Sequence, residues 1–406
     1  MRERPPLPVW HDLAVTTTRR IGVDERRARL GLRHRLAPSA LASDAIEVAG
    51  GVVALHGTDP SSVFLAALAR LRTPAIEPIE AALYDDRSLV RMLGMRRTMF
   101  VVSRDVAPVI QAACTRAIAG QQRRLLEQHL AGVAPDCAAW LRSVEEATVA
   151  ALEARGSAMA AELAEDVPLL RTQLRLAEGK PYEAQPYVTS RVLFLLSADG
   201  RIVRGRPRGS WTSSQYRWAP LESWLLGGLP DWPTEAAQVE LARLWLARFG
   251  PATVDDLRWW TGWTMGQTRK ALAQLAPVEV DLDGVPGIVL PADVEPVVCD
   301  EPWVALLPAL DPTAMGWSRR DWYVGPHAGV LFDRSGNIGP TIWCDGRIVG
   351  GWAHGKDGSI AYRLLEDIGY EAASSVSAMA ERLAHMLGAV RVTPRFRTPL
   401  ERDLST

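Results

Sequence analysis

An imidazole, a hydroxyl and a carboxylate fall within four residues at His56-Gly57-Thr58-Asp59, where the apolar run "VVAL" ends. Proteins use these groups to move protons and to hold charge. The stretch also reads as punctuation between two helices. Asp59 before Pro60, then Ser61, Ser62 and an apolar face, is a helix start with Asp59 as N-cap and Pro60 in the first turn. Capping accounts for Asp59; it does not account for His56. A second group is cationic. Arg201, Arg204, Arg206, Arg208 and Arg217 occur with no acidic residue between Arg201 and Arg217, and Trp211, Tyr216 and Trp218 are interleaved. On a projecting hairpin such side chains neutralise phosphates or enter a minor groove, or else protect an exposed sheet edge. Arg91, Arg96 and Arg97 in "LVRMLGMRRTM" fit a solvated face and a phosphate clamp equally well. The aromatics of "RWWTGW" (258–263) are expected in a helical core rather than on bases.

These residues are set on a repeating layout. Helical spacing of apolar residues marks "DERRARLGLRHRL", "SDAIEVAGGVVAL", "DPSSVFLAALARL" and "VAPVIQAACTRAIAGQQRRLLEQHL", with an apolar β-rich stretch ahead of the last. Residues 20–135 are therefore read as a winged helix that carries the His56 segment. Residues 136–230 repeat the plan. Helices are expected over "PDCAAWLRSVEEATVAALEARG", "SAMAAELAED" and "VPLLRTQLRLAEG", followed by two β-like runs around Ala198-Asp199-Gly200 that form the basic wing. A third copy spans 231–300, closed by the hairpin "VEVDLDGVPGIVLP". From 301 to 406, short runs broken by Ser-Gly-Asn, Asp-Gly and Lys-Asp-Gly suggest a barrel-like or curled sheet, with a helix and a last strand near "AVRVTPRF". The fold class expected is mainly α with α+β elements: three tandem winged-helix domains and a C-terminal β-barrel-like domain.

The totals narrow the function. A chain of 406 residues, 48% hydrophobic with net charge −1, can bury several cores, and any nucleic-acid footprint must be a local patch. Cys114, Cys137, Cys299 and Cys344 lie too far apart for metal-ligand spacing or a disulfide framework. No nucleotide-binding glycine loop, zinc motif or nucleophile elbow occurs. No metal and no nucleotide cofactor are expected, so any chemistry runs on water and side chains. The first residues, "MRERPPLPVWHDL", are charged and proline-rich, and no apolar run reaches membrane length, so a cytoplasmic, monomeric protein is expected.

With "VVALHGTDPSSVFLAALAR", "LVRMLGMRRTMFVVSRD", "LLSADGRIVRGRPRG" and "LLPALDPTAMGWSRRDW…GNIGPTIWCDGRIVGGW" in that order, the chain resembles the winged-helix DNA glycosylases of the AlkZ and YcaQ kind. The resemblance implies double-stranded DNA as partner. It also implies a DNA repair reaction, hydrolysis of the N-glycosidic bond of alkylated or crosslinked nucleotides. The family segment typically carries Gln-x-Gln or Gln-x-Asp, which positions the attacking water. Aligned on Asp59-Pro60, those places hold His56 and Thr58. A neutral imidazole accepts a proton from water and a threonine hydroxyl fixes that water, while Asp59 adds charge near the sugar. Asp311, Arg319 and Arg320 fall where the family builds part of its DNA channel, although Asp311 reads equally as a turn residue. The replaced pair leaves a second reading open: a DNA-binding lesion sensor or regulator without catalysis.

Overall fold

The computed structural model describes residues 18–176, 179–181 and 183–406. The N-terminal stretch read as lacking an apolar leader falls outside them. Described residues begin with α1 (Val23–Arg33) and α2 (Ala45–Gly51), then the two-residue strand β1 (Leu55–His56) and α3 (Pro60–Leu68). A short α4 (Ile76–Glu80) runs through a π turn at Ala81–Asp85 into the hairpin β2 (Leu89–Leu93) and β3 (Met99–Ser103). The strands form one antiparallel sheet in the order β1-β3-β2. Next come α5 (Ala107–Ile110), a second π turn at Gln111–Thr115 and α6 (Arg116–His129).

The second stretch holds α7 (Cys137–Arg155), α8 (Ala160–Asp166) and α9 (Thr189–Ala198), with the hairpin β4 (Ile202–Pro207) and β5 (Tyr216–Pro220). A short α10 (Leu221–Trp224) closes it. The Asp136 carboxylate caps α7 by accepting from the Ala139 N–H at 2.9 Å. Two expectations are corrected here. "SRVLFLLSA", read as a strand for its branched and aromatic residues, is α9. Val192, Leu195 and Leu196 are buried at helical spacing in a core shared with α6 and α7. Conversely, 167–179 is not the third helix. It makes one 3-10 turn at Pro168–Arg171, then extended pairings of Gln173 with Tyr187 and Leu176 with Ala184. The wing therefore turns at 208–215, not at Ala198-Asp199-Gly200.

The third stretch matches its expected helices: α11 (Thr234–Phe249), α12 (Val254–Thr261) and α13 (Met265–Leu275), followed by β6 (Val278–Asp281) and β7 (Pro286–Val289). Trp260 and Trp263 are buried, and the Trp263 indole N–H donates to the Ala113 carbonyl at 3.1 Å. The last stretch comprises β8 (Val304–Leu307), α14 (Asp321–Val324), α15 (Ala328–Leu331), β9 (Thr341–Cys344), β10 (Arg347–His354), β11 (Ile360–Leu364), α16 (Tyr370–Leu387) and α17 (Pro399–Leu404). Its sheet has the order β11-β10-β9-β8 and is open, not a closed barrel. The reason lies in α16, which packs against both edge strands, β8 and β11, and so stands where closure would pair them. No strand forms near "AVRVTPRF".

One apolar core runs from Leu30 to Leu400 and joins the first, third and last stretches with the wing of the second through Val203, Trp211 and Ala219, while the helices of the second pack with the end of α6 in a core of their own. A buried ion pair crosses the larger core. The Arg70 guanidinium donates to both Asp311 carboxylate oxygens at 2.8 and 2.7 Å, with both side chains 0% exposed. The same guanidinium donates to the His34 and Ala66 carbonyls and the Thr313 hydroxyl, so its donors are used up.

Candidate active site and its cationic surroundings

The His56 segment is held as the edge strand of the first sheet. His56 pairs with Phe100 and Leu55 with Val101, and the Gly57 N–H donates to the Met99 carbonyl at 2.7 Å. Glycine leaves room at 57, since a Cβ there would lie tight against its neighbours, 3.0 Å from Arg91 Nη1 and 3.3 Å from the Met99 carbonyl oxygen. The His56 ring meets Phe100 edge-on at 5.5 Å and is 8% exposed. Its Nδ1 is sealed from solvent without a partner. Burial, and secondarily the Arg96 charge, pushes its pKa down to about 3. The ring is therefore neutral throughout the physiological range, able to accept a hydrogen bond from water and so orient it, but a weak base toward the proton itself.

Thr58 is the half-exposed member of the segment. Asp59 is buried and caps α3: its Oδ1 accepts from the Ser61 N–H at 3.0 Å and from the Ser61 hydroxyl at 2.7 Å. Its Oδ2 accepts from the Arg395 N–H at 2.9 Å, which ties the C-terminal coil to the segment. The Arg395 guanidinium lies 3.5 Å from the Thr58 carbonyl oxygen. Nothing local in the sequence marks Arg395, 336 residues from Asp59.

The two faces of the sheet carry different arginines. Cross-strand partners share a face, so His56 shares one with Phe100 and Met92, whereas Arg91 shares the other with Val101 and Leu55. On the His56 side, Arg96 and Arg97 form the tip of the β2–β3 hairpin, both with positive φ (53° and 59°). This is the backbone of a type I′ turn, normally Asn-Gly, and it costs an L side chain about 1–2 kcal/mol per residue. Arg96 lies 4.0 Å from the Trp259 ring centroid and Arg320 lies 5.0 Å from it. Trp259 is thus the half-exposed aromatic in "RWWTGW", packed against the core on one side and lying near both cations. Arg97, exposed, lies over Phe194 at 5.4 Å.

On the other side, Arg91 is 2% exposed and donates to the Gly57 carbonyl at 2.7 Å. Its guanidinium lies 4.8 Å from the ring of Tyr216, on the wing. Arg204, half-buried, lies 5.7 Å from the same ring and 5.2 Å from Trp218. Other wing arginines are matched by carboxylates from distant elements: Arg201 by Glu146, Arg206 by Asp85 and Glu80, Arg217 by Glu162. Arg208 is exposed and carries no such partner among the described residues. Asp311, which the resemblance put in a DNA channel, is instead sealed in the core against Arg70, and it also accepts from the Thr313 N–H as a turn residue does. Among the described residues no group of His, Cys, Asp and Glu could hold a metal ion, and no helix is long and apolar enough to cross a membrane.

A family model described as "DNA glycosylase AlkZ-like" matches residues 49–386. The fold is similar to that of the Streptomyces sahachiroi DNA glycosylase AlkZ, with a TM-score of 0.71 at 20% identity over 93% of this chain and 99% of that one. No curated protein matches the sequence.

Proposed function

Because this chain belongs to the AlkZ-like DNA glycosylase family, we propose that it hydrolyses the N-glycosidic bond of an alkylated nucleotide in duplex DNA, with His56 and Thr58 handling the attacking water. An N-alkylated purine is already cationic and leaves easily, so the protein mainly has to orient water and hold charge near the sugar. The observation that carries the proposal is the buried, neutral imidazole of His56, whose Nε2 is not sealed, at the end of β1 two residues before Thr58. Asp59 serves as a cap and anchor, since three donors already occupy its carboxylate.

The element order supports three winged helices. In 20–135, α2, β1, α3, α4, β2 and β3 follow the helix-strand-helix-helix-strand-strand plan, and β1 pairs with β3 at the sheet edge. Three helices and a hairpin recur in 136–230 and in 231–300. Crosslinked nucleotides belong to the proposed substrates, with the wing at 202–220 facing the duplex. A binding-only reading is favoured by one observation, the near-complete burial of His56.

The two readings part on one experiment. Purified protein is incubated with duplex DNA bearing N-alkylated purines, and free base and alkali-labile sites are scored. Wild type is expected to release base, and His56→Ala to lose most turnover with nearly unchanged DNA affinity. A wild type that binds the duplex but releases nothing is a binding protein. Gain of activity on installing His56→Gln with Thr58→Gln would then identify the pair as the missing element.

A further inference from the structure

Around Tyr216 and the Thr58-Asp59 turn, cationic charge is left unmatched. Arg91 and Arg204 both lie against the Tyr216 ring, and Arg395 reaches toward the Thr58 carbonyl. Arg91 and Arg395 both act on Arg204. Arg204 has its pKa lowered by burial first, then by Arg91, with Arg395 contributing in the same direction. The carboxylate of this cluster, Asp59, already has its oxygens taken by Ser61 and the Arg395 N–H. Arg91, although buried, has Nε and Nη2 outside any well-formed hydrogen bond, its interaction there being with the Tyr84 hydroxyl, and the buried Tyr216 hydroxyl has no partner. Isolated buried cations and unpaired donors are costly unless something answers them. Arg201, Arg206 and Arg217 on the same wing are by contrast each set on a carboxylate.

We propose that Arg204 and Arg395, backed by Arg91, form a seat for one backbone phosphate of the DNA, at the Thr58 end of the candidate site. The proposal rests on the DNA reading above and adds where the strand is gripped. Accessibility is graded in the right sense: Arg91 is sealed, Arg204 half-buried and Arg395 exposed. An anion would meet Arg395 first and Arg204 next, with Arg91 adding field from behind. Guanidinium forks suit phosphate oxygens by geometry as well as by charge. Arg91 also holds the Gly57 carbonyl, so a phosphate settled here would bear on the segment that carries His56 and Thr58. The seat lies on the opposite sheet face from the His56 ring. The strand would then be gripped on one side of the segment while the sugar is presented to the other.

The test is a binding measurement that does not depend on base release. A short duplex carries one tetrahydrofuran abasic analogue, and a single neutral methylphosphonate replaces each phosphate in turn within three nucleotides of it. For wild type, one position should weaken binding about 10- to 100-fold, the value of a charged hydrogen bond. Arg395→Gln, on an exposed side chain that does not threaten folding, should bind the unmodified duplex more weakly and lose most of its sensitivity to that same linkage. Arg204→Gln should behave alike, and Arg204→Lys should recover part of the effect. A flat walk for wild type overturns the proposal, as does an equal penalty in wild type and both glutamine variants. If inorganic phosphate raises the melting temperature of wild type while the walk stays flat, the cluster takes a free anion and the DNA seat is wrong. Coupled loss in a protein that releases no base keeps the seat and ends the glycosylase reading; base release with a flat walk does the reverse.

Discussion

His56→Gln separates what burial does to this residue from what chemistry asks of it. In the unfolded chain an imidazole titrates near 6.5, whereas in the fold burial and Arg96 push His56 down to about 3. The folded-state pKa is depressed, so below pH 6.5 the unfolded chain takes up a proton that the folded chain refuses. Stability is lost as pH falls from 6.5 toward 3. The linkage slope is about 1.4 kcal/mol per pH unit for one proton, so between pH 7 and pH 5 His56 alone removes about 2 kcal/mol. Glutamine keeps a polar side chain of similar reach and has no proton to take up. His34, fully buried and also held well below its ordinary value, contributes equally in both proteins and cancels. Urea unfolding at pH 7 and pH 5, followed through the fifteen tryptophans, should show a pH-dependent loss about 2 kcal/mol smaller in His56→Gln than in wild type. Equal losses would mean that His56 exchanges protons freely in the fold, and the account of a sealed neutral imidazole would fail.

The same burial fixes the pH profile of catalysis: kcat/KM for base release should be flat from pH 5 to 8, because it reports the free enzyme. A limb near 6.5 would contradict the pKa of about 3. Asp311→Ala strands the Arg70 charge and should lower stability by about 3–5 kcal/mol, while Arg70→Met with Asp311→Leu should recover most of it; thermal melts of the three proteins decide. On the wing, Arg208→Ala should reduce the salt slope of duplex binding by about 0.9 and Arg201→Ala by less, since Glu146 already holds Arg201. Equal reductions would mean that the ion pair opens on DNA.

Local chemistry was legible and long-range pairing was not. Asp59-Pro60-Ser61 carries its cap within three residues, and the helix starts there as expected. The helices of 234–275 announce themselves by spacing and by Thr264 with Gln267, which cap each other at the start of α13. In contrast, α9 has strand-like composition, and only its packing against α6 and α7 shows which periodicity wins. The absence of acidic residues among the wing arginines was true of the segment and misleading about the surface. Glu146, Asp85, Glu80 and Glu162 approach from other elements and pair with Arg201, Arg206 and Arg217. Of the cationic residues beside the candidate site, Arg91 and Arg96 stood out in sequence, whereas Arg395 arrives from a coil with no motif around it. Open or closed C-terminal sheets use the same turn residues, so α16 rather than any strand decides between them.

The Arg70–Asp311 pair also bears on how the chain is made. Synthesis is vectorial, and N-terminal units commonly fold before the rest has left the ribosome. Here Asp311 follows Arg70 by 241 residues. Until it emerges, the Arg70 guanidinium, fully buried in the complete fold, has no counter-charge. The first stretch can therefore form its helices before Asp311 appears, whereas burying Arg70 without it would be costly. Burial around Arg70 is expected to wait for those 241 residues, with the apolar surface beside it left open to chaperones meanwhile.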